Sequence, residues 1–269
     1  MNPEQVSAVA PRPSTTVVLL RDAAAGPETL LVLRHADASF GASYVFPGGV
    51  NEPVDQEVGA HAGGADDALL SRRLGLAAGG LAFFSSAIRE LFEETGVLLA
   101  RRAGAAELIA DCDFDALRGP LNAGHLSWAE LLQRESLTLA CDRLHYFAWW
   151  VTPRVFGRRY ATRFFAARSP AGQQACHDGD ELTDSCWLTP AAALAAAVSD
   201  EITLPPPTRA TLEQLRRFQG VQAALAWADR EEARGVDCIL PAVLQDGGRQ
   251  RIVMPGSADY PADHRGCEQ

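Results

Sequence analysis

The sequence predicts a layered α/β domain, and three features carry that expectation. Short β-branched or aromatic runs alternate with stretches of helical periodicity, the pattern that lays helices over a sheet. The chain has 269 residues and is 47% apolar, enough for one large domain or a domain with additions. One stretch, Leu81 to Val97, sorts its residues by helical face. At about 100° per residue Leu81, Phe84, Ile88, Leu91 and Phe92 fall together, while Glu90, Glu93 and Glu94 lie opposite, with Phe83 on their side.

The elements follow in order. Residues 1–14 hold three prolines and little apolar pattern, so a flexible arm is expected there. Thr15 to Arg21 and Glu28 to Arg34 read as a hairpin turning at Ala23–Pro27. A loop with Gly41 leads into Tyr44-Val45-Phe46 and the pair Gly48-Gly49. Residues 56–80 are broken by six glycines and read as a surface insertion, a lid or a decoration, with a short helix over Asp66 to Leu76. Gly96 is placed to end the helix before it, and Val97-Leu98-Leu99 reads as a short strand. Helices are expected over Glu107 to Arg118 and Ser127 to Glu135, the second with a capping box from Ser127 to Glu130. Leu144 to Val151 is an aromatic strand, Gly157 to Tyr160 a turn, and Ala161 to Ala167 the return strand. Trp149 and Trp150 should face opposite layers. Ser185 to Leu188 is a strand, Pro190 starts a helix to Val198, and Thr208 to Arg234 reads as one long helix. The tail from Ile239 to Tyr260 suggests two strands around Asp246-Gly247-Gly248. No domain linker interrupts 15–269, which reads as one domain with a C-terminal helix and tail over 205–269.

Composition narrows the partners. The formal charge is −10, and all 24 basic residues are arginine. Such a chain is a poor general binder of nucleic acid or of an anionic membrane. The six cysteines are scattered without a CxxC, and no apolar run approaches about 18 residues, so reduced thiols in a cytoplasm are expected. Cys176 and His177 have no second spaced pair that would complete a zinc site. The aromatic strand and the C-terminal tail offer surfaces for a homodimer.

The three glutamates set the chemistry. Like charges on one helical face repel, and a solvated face relieves this with a basic residue four positions on. Here Glu90 is followed at that spacing by Glu94, Glu93 by Val97 and Glu94 by Leu98. Arg89 can pair with Glu93. Two readings stand: an exposed acidic helix, or a face that binds a hard cation such as magnesium or manganese.

The stretch Arg89 to Val97 matches the second half of the Nudix box, Arg-Glu-apolar-x-Glu-Glu-x-Gly-apolar, without a mismatch. Upstream, Gly49 fits its first glycine. Asp55 stands where the pattern has Glu, and 33 residues rather than seven separate Asp55 from Arg89. Trp150-Val151-Thr152-Pro153, Gly157-Arg158-Arg159-Tyr160, Thr162-Arg163-Phe164-Phe165, Trp187-Leu188-Thr189-Pro190 and Leu204-Pro205-Pro206-Pro207 are similar to segments of the Nudix subfamily called nucleoside diphosphate-linked moiety X motif 19. That subfamily carries an insertion inside its box. A coenzyme A signature of another Nudix branch is not met, since Ser39 and Ala42 stand where it has Arg and Gly.

The resemblance implies an α/β/α sandwich with a mixed sheet. It implies metal-dependent hydrolysis of a nucleoside diphosphate linked to another moiety, with coenzyme A or its derivatives as one reading and ADP-ribose, dinucleotides or nucleotide sensing without strong catalysis as the others. Glu90, Glu93 and Glu94, with the carbonyl of Gly49, would hold magnesium or manganese, and Arg89 would orient the glutamates. Glu93, Asp180, Glu181 and Asp184 are candidates for the general base. Arg158, Arg159 and Arg163 either bind phosphate or serve structure, the first two by capping a hairpin turn.

Overall fold

Strand β1 (Arg12–Ala23) is β-branched and apolar on both faces, and it lies inside the sheet. The computed structural model describes residues 9–34, 43–110, 114–176, 182–246, 249–262 and 267. β1 turns into antiparallel β2 (Gly26–Arg34), which pairs onward with β3 (Ser43–Val45). On its other side β1 runs parallel to β7 (Tyr160–Arg168), with Arg12 opposite Tyr160 and Leu20 opposite Arg168. β7 is antiparallel to β6 (His145–Val151), and β6 is parallel to β9 (Cys238–Ile239). β8 (Leu182–Leu188) pairs with β2. The expected mixed sheet is therefore present.

Side chains alternate across this sheet and divide the interior in two. Val17 and Leu19 of β1, Leu30 and Val32 of β2, and Phe165 of β7 face α1 (Asp67–Leu74), α2 (Gly80–Thr95), α3 (Phe114–Asn122) and α4 (Trp128–Arg134). Val18, Leu20, Leu31, Phe164 and Ala166 face α5 (Pro190–Val198), α6 (Pro206–Leu215) and α7 (Val221–Arg234). Trp149 packs in the first core and Trp150 in the second, as their alternation requires. Two small hairpins complete the fold, β4 (Ala100–Arg102) with β5 (Leu137–Leu139) and β10 (Ala242–Asp246) with β11 (Arg249–Val253). Among the described residues no helix is long and apolar enough to cross a membrane.

Several expectations change. β1 begins at Arg12, so only the first part of residues 1–14 is left for an arm, and residues 1–8 lie outside the described residues. The loop at 35–42 and the Gly247-Gly248 turn lie outside them as well. Val97-Leu98-Leu99 is fully buried but forms no strand, because the Gln173 side chain supplies its partner: it accepts from Leu98 N–H at 2.8 Å and donates to Leu98 C=O at 3.0 Å. The helix expected from Glu107 is absent over residues 107–110, where Ile109 N–H is spent on the Ala100 carbonyl at 3.0 Å, and α3 is described over Phe114–Asn122. The long C-terminal helix is two helices broken before Gly220, where the Asp22 carboxylate accepts Val221 N–H at 2.8 Å and so anchors α7 to the first hairpin. Cys238 and Cys267 form a disulfide, which removes two of the six thiols expected to be reduced.

The insertion is the largest correction. Val58, Ala62, Leu70 and Leu74 are buried in the first core, and α1 packs along α2. Asp67 accepts from Gly79 and Leu81 N–H at 2.9 Å each, so the insertion also caps the start of α2. This segment is core, not surface decoration. Leu70→Ala should therefore lower stability by about 2–4 kcal/mol in urea unfolding. A loss below about 0.5 kcal/mol, the size of an ordinary surface substitution, would contradict this assignment.

Candidate active site

Helix α2 forms where the apolar period predicts it. Leu81, Phe84, Ile88, Leu91 and Phe92 are all buried, and Gly96 takes the left-handed conformation (φ 73°) that ends it. The helix has no basic residue in its last turn. Its terminal carbonyls are met from outside by Arg118 of α3, whose Nε donates to Glu93 O at 2.8 Å and whose Nη2 donates to Glu94 O at 2.7 Å. A buried cation at a helix C-terminus also complements the helix dipole. Arg118 escaped the sequence reading, although the missing basic residue in the last turn was a signal that some distant donor must supply it.

The glycine pair brings backbone to the glutamates. Residues 47–51 run beside β1, with Thr15 N–H donating to the Gly49 carbonyl at 2.9 Å and Val17 N–H to the Pro47 carbonyl at 2.8 Å. Gly48 N–H donates to Glu94 Oε2 at 2.8 Å. Arg34 of β2 donates through Nη2 to Glu94 Oε1 at 3.1 Å and to the Gly48 carbonyl. Gly49 lies against the Glu90 carboxylate so closely that a Cβ there would overlap it. A side chain at 49 would displace the Glu90 carboxylate, whereas at Gly48, which has φ 152°, a Cβ would meet the Thr15 and Thr16 backbone.

Asp55 and Arg89 lock these pieces together. Asp55 is fully buried and receives Arg89 Nε and Nη2 on its two oxygens at 2.9 Å each, a bidentate pair. Asp55 also accepts from Glu52 N–H at 2.8 Å and from the Ser85 hydroxyl at 3.4 Å, and Ser85 in turn accepts from the Trp128 indole at 3.0 Å. The third nitrogen of Arg89, Nη1, reaches Glu93 at 2.8 Å and Glu90 at 3.0 Å, and Nη2 also donates to the Val50 carbonyl at 3.2 Å. Burial opposes the charge on Arg89, but Asp55, Glu90 and Glu93 together raise its pKa. Asp55 thus meets Arg89 despite the insertion between them.

One guanidinium cannot neutralise three carboxylates. Burial pushes Glu90 up from 4.5 to about 8; Arg89 opposes this, while Glu94 and Glu93 add to it. Glu93 is also raised, by burial first, against the pull of Arg89. Among the described residues no three Asp, Glu, His or Cys side chains converge on one point as cation ligands. Each glutamate is held instead by an arginine or a backbone N–H. The donor chemistry nevertheless fits a hard divalent cation: carboxylate oxygens on one helix face, backbone oxygen beside them, and a carboxyl that burial first, and its glutamate neighbours next, push toward the protonated form.

Beside this face opens a cleft of about 790 Å³, within the range of small-molecule sites. Glu90 and Gly49 line it together with Arg12, Arg34, Arg158 and Trp150. The candidate arginines separate here. Arg158 is exposed and faces the cleft. Arg159 is buried and donates to the Thr152 carbonyl at 3.2 Å and the Val9 carbonyl at 2.8 Å, so it fastens the hairpin turn. Arg163 is buried beneath Trp149, 4.1 Å from its ring centroid, donates to Leu74 O at 3.1 Å and also to the Tyr146 hydroxyl, and stacks near Phe83. Both are corrected from phosphate ligands to structural residues, because each is buried: Arg159 is bonded to two backbone carbonyls, and Arg163 lies under Trp149 with its Nη1 on Leu74 O and the Tyr146 hydroxyl. Asp184 is exposed and accepts from the Tyr44 hydroxyl at 2.6 Å, outside the cleft lining. Asp180 and Glu181 lie outside the described residues.

The model of the NUDT19 Nudix domain family matches residues 71–216, which is 146 of 269 residues. The human (Homo sapiens) acyl-coenzyme A diphosphatase NUDT19 is 28% identical over 196 residues, 68% of this chain and 52% of that protein. The chicken (Gallus gallus) protein of the same name is 27% identical over 206 residues, 69% of this chain and 54% of its own length. The chain thus spans about half the length of the curated relatives it matches. A solved NUDIX hydrolase from Alicyclobacillus acidocaldarius shares the fold, with a TM-score of 0.69 at 24% identity over 82% of this chain and 97% of that one. Matched over more than half its length, and with the box helix built on the matched segment, this chain belongs to the NUDT19 Nudix domain family of the Nudix superfamily.

Proposed function

We propose that this chain hydrolyses the phosphoanhydride bond of a nucleoside diphosphate linked to a second group, with coenzyme A and its thioesters as the substrate class. The observation that carries this reading is a shared wall. Glu90 and Gly49 line the same cleft as Arg12, Arg34 and Arg158, so acidic ligands for a cation stand beside arginines suited to phosphate. The names of the human and chicken relatives, acyl-coenzyme A diphosphatases, supply the substrate class.

Nudix hydrolases generally use divalent metals, and magnesium or manganese suits the oxygen donors here. Glu90 and Glu94 would hold the ion, with Glu93 binding a second ion or water. When bound, the metal supplies charge neutralisation on the phosphate oxygens and acidifies the attacking water. The chain's residues then divide the remaining work. Arg89, clamped by Asp55, holds the carboxylates of Glu90 and Glu93 in place. Gly48 N–H orients Glu94. Arg34 and Arg158 meet the negative charge of the diphosphate from the cleft wall. The net charge of −10 weighs against a nucleic-acid substrate.

Glu94→Gln keeps the shape of a buried side chain but removes its charge. With magnesium it should cut hydrolysis of coenzyme A and ADP-ribose by about 100-fold, measured by mass identification of the products. Undiminished turnover would overturn the assignment of the carboxylate face. Asp55→Asn should cost about 3 kcal/mol in urea unfolding, because it leaves Arg89 buried without its bidentate partner. It should also weaken magnesium binding in calorimetry by about 10-fold.

The raised Glu90 pKa has a definite sign. The folded state binds the proton more tightly than the unfolded chain, so this contribution to stability is complete below about 4.5 and is lost as pH rises through about 8. Metal-free protein should therefore melt at falling temperature across that window. Added magnesium binds the deprotonated carboxylates, so it should restore more stability near the upper end than near the lower. A flat melting curve with pH, unaffected by magnesium, would contradict both.

A further inference from the structure

The cleft continues well past the carboxylates. It crosses the second face of the sheet, over Ser14 and Thr16 of β1 and Thr162 and Phe164 of β7 to Trp150 of β6, and Pro241 and Ile252 wall it beyond. Both of these residues follow α7, outside the span matched by the family model.

That C-terminal segment is firmly anchored. β9 pairs with β6, Cys238 is bonded to Cys267, and the Tyr260 hydroxyl donates to the Leu240 carbonyl at 2.6 Å. Ala242, Val243 and Val253 at the base of the hairpin are buried. Ile252 stands one register step from that base, opposite Val243, yet it is 44% exposed. Among the described residues the exposed large hydrophobic side chains are Val9, Leu69, Val198 and Ile252, and of these only Ile252 lines the cleft.

The distance from the carboxylates selects the occupant. Residues 47–51 lie beside β1, and β7, β6 and β9 follow in the sheet. Four strand spacings, roughly 19 Å, therefore separate the glycine pair from the strand that delivers the hairpin. A diphosphate held beside Glu90 reaches Ile252 only through a long, extended substituent with an apolar end. Proline and isoleucine offer that end apolar contact with no hydrogen-bonding side chain. We infer that the β10–β11 hairpin is a specificity wall, with Ile252 and Pro241 packing on the hydrocarbon of a fatty-acyl thioester whose diphosphate lies at the carboxylate face.

This inference rests on the diphosphatase reading, and the test separates the two. The full chain and its Ile252→Asp and Ile252→Leu variants are assayed for kcat/KM on octanoyl- and acetyl-coenzyme A. Binding of both thioesters, of coenzyme A and of ADP-ribose is measured by calorimetry with a chelator present. Ile252→Asp should lower the octanoyl-to-acetyl ratio about 10-fold, through KM, while Ile252→Leu keeps it within about 2-fold. If the Asp variant fails to fold, Ile252→Thr keeps the β-branch and should lower the ratio in the same direction. An unchanged ratio in a folded Asp or Thr variant overturns the inference, as does an equal loss on all four ligands, which would put the nucleotide half at the hairpin. No turnover of any diphosphate, with octanoyl binding still dependent on Ile252, would sink the hydrolase reading and leave the wall standing. Absence of both turnover and thioester binding would sink both.

Discussion

The buried ion pair between Asp55 and Arg89 is the contact on which the candidate site depends. A guanidinium removed from water is tolerated only when its donors and its charge are met, and Arg89 is almost completely buried. Asp55 meets two donors in a bidentate fork, and Val50, Glu90 and Glu93 take the rest. One side chain therefore ties the glycine loop, the start of the insertion and helix α2 to a single geometry. The relay from Asp55 through Ser85 to Trp128 extends that constraint into α4. Shortening Glu to Asp at this position is accommodated because the short helical turn at Pro53–Asp55 packs on α2 and buries Asp55 against it.

The pair also explains the electrostatics. Arg89 is shared among three carboxylates, and Asp55 claims the better half of it. Glu90 is left with too little positive charge for its burial, and it takes up a proton at a pH where an ordinary carboxyl would not. The same local excess of negative charge makes the face suited to a hard cation. Arg118 stabilises the helix end from the backbone side without entering the face, so it supports the site and leaves its charge balance intact.

Placed across the sheet from the first core, the cleft has a composite wall. The glycine loop and Glu90 bring the polar chemistry, β1, β7 and β6 form the floor, and the C-terminal extension closes one side. The alternation of Trp149 and Trp150 matters here. A strand must send neighbours to opposite faces, so Trp149 covers the buried Arg163 while Trp150 is left for the cleft.

Much of this was legible in the sequence, and the reason is locality. The apolar period of α2, the Gly96 stop, the capping box at Ser127 and the first hairpin depend on residues a few positions apart, and each formed where its pattern placed it. The grouping of Glu90, Glu93 and Glu94 on one face follows from the helix period alone. Tertiary structure decided everything that required distant segments to meet. It chose Asp55 as the partner of Arg89 across 33 residues, enclosed Arg159 and Arg163 among protein oxygens, and sent Arg118 and Gln173 to satisfy backbone far from their own elements. It also turned a glycine-broken insertion into core. Spacing along the chain cannot report such contacts, because sheet register and side-chain packing, not sequence distance, determine which buried charges and backbone groups find one another.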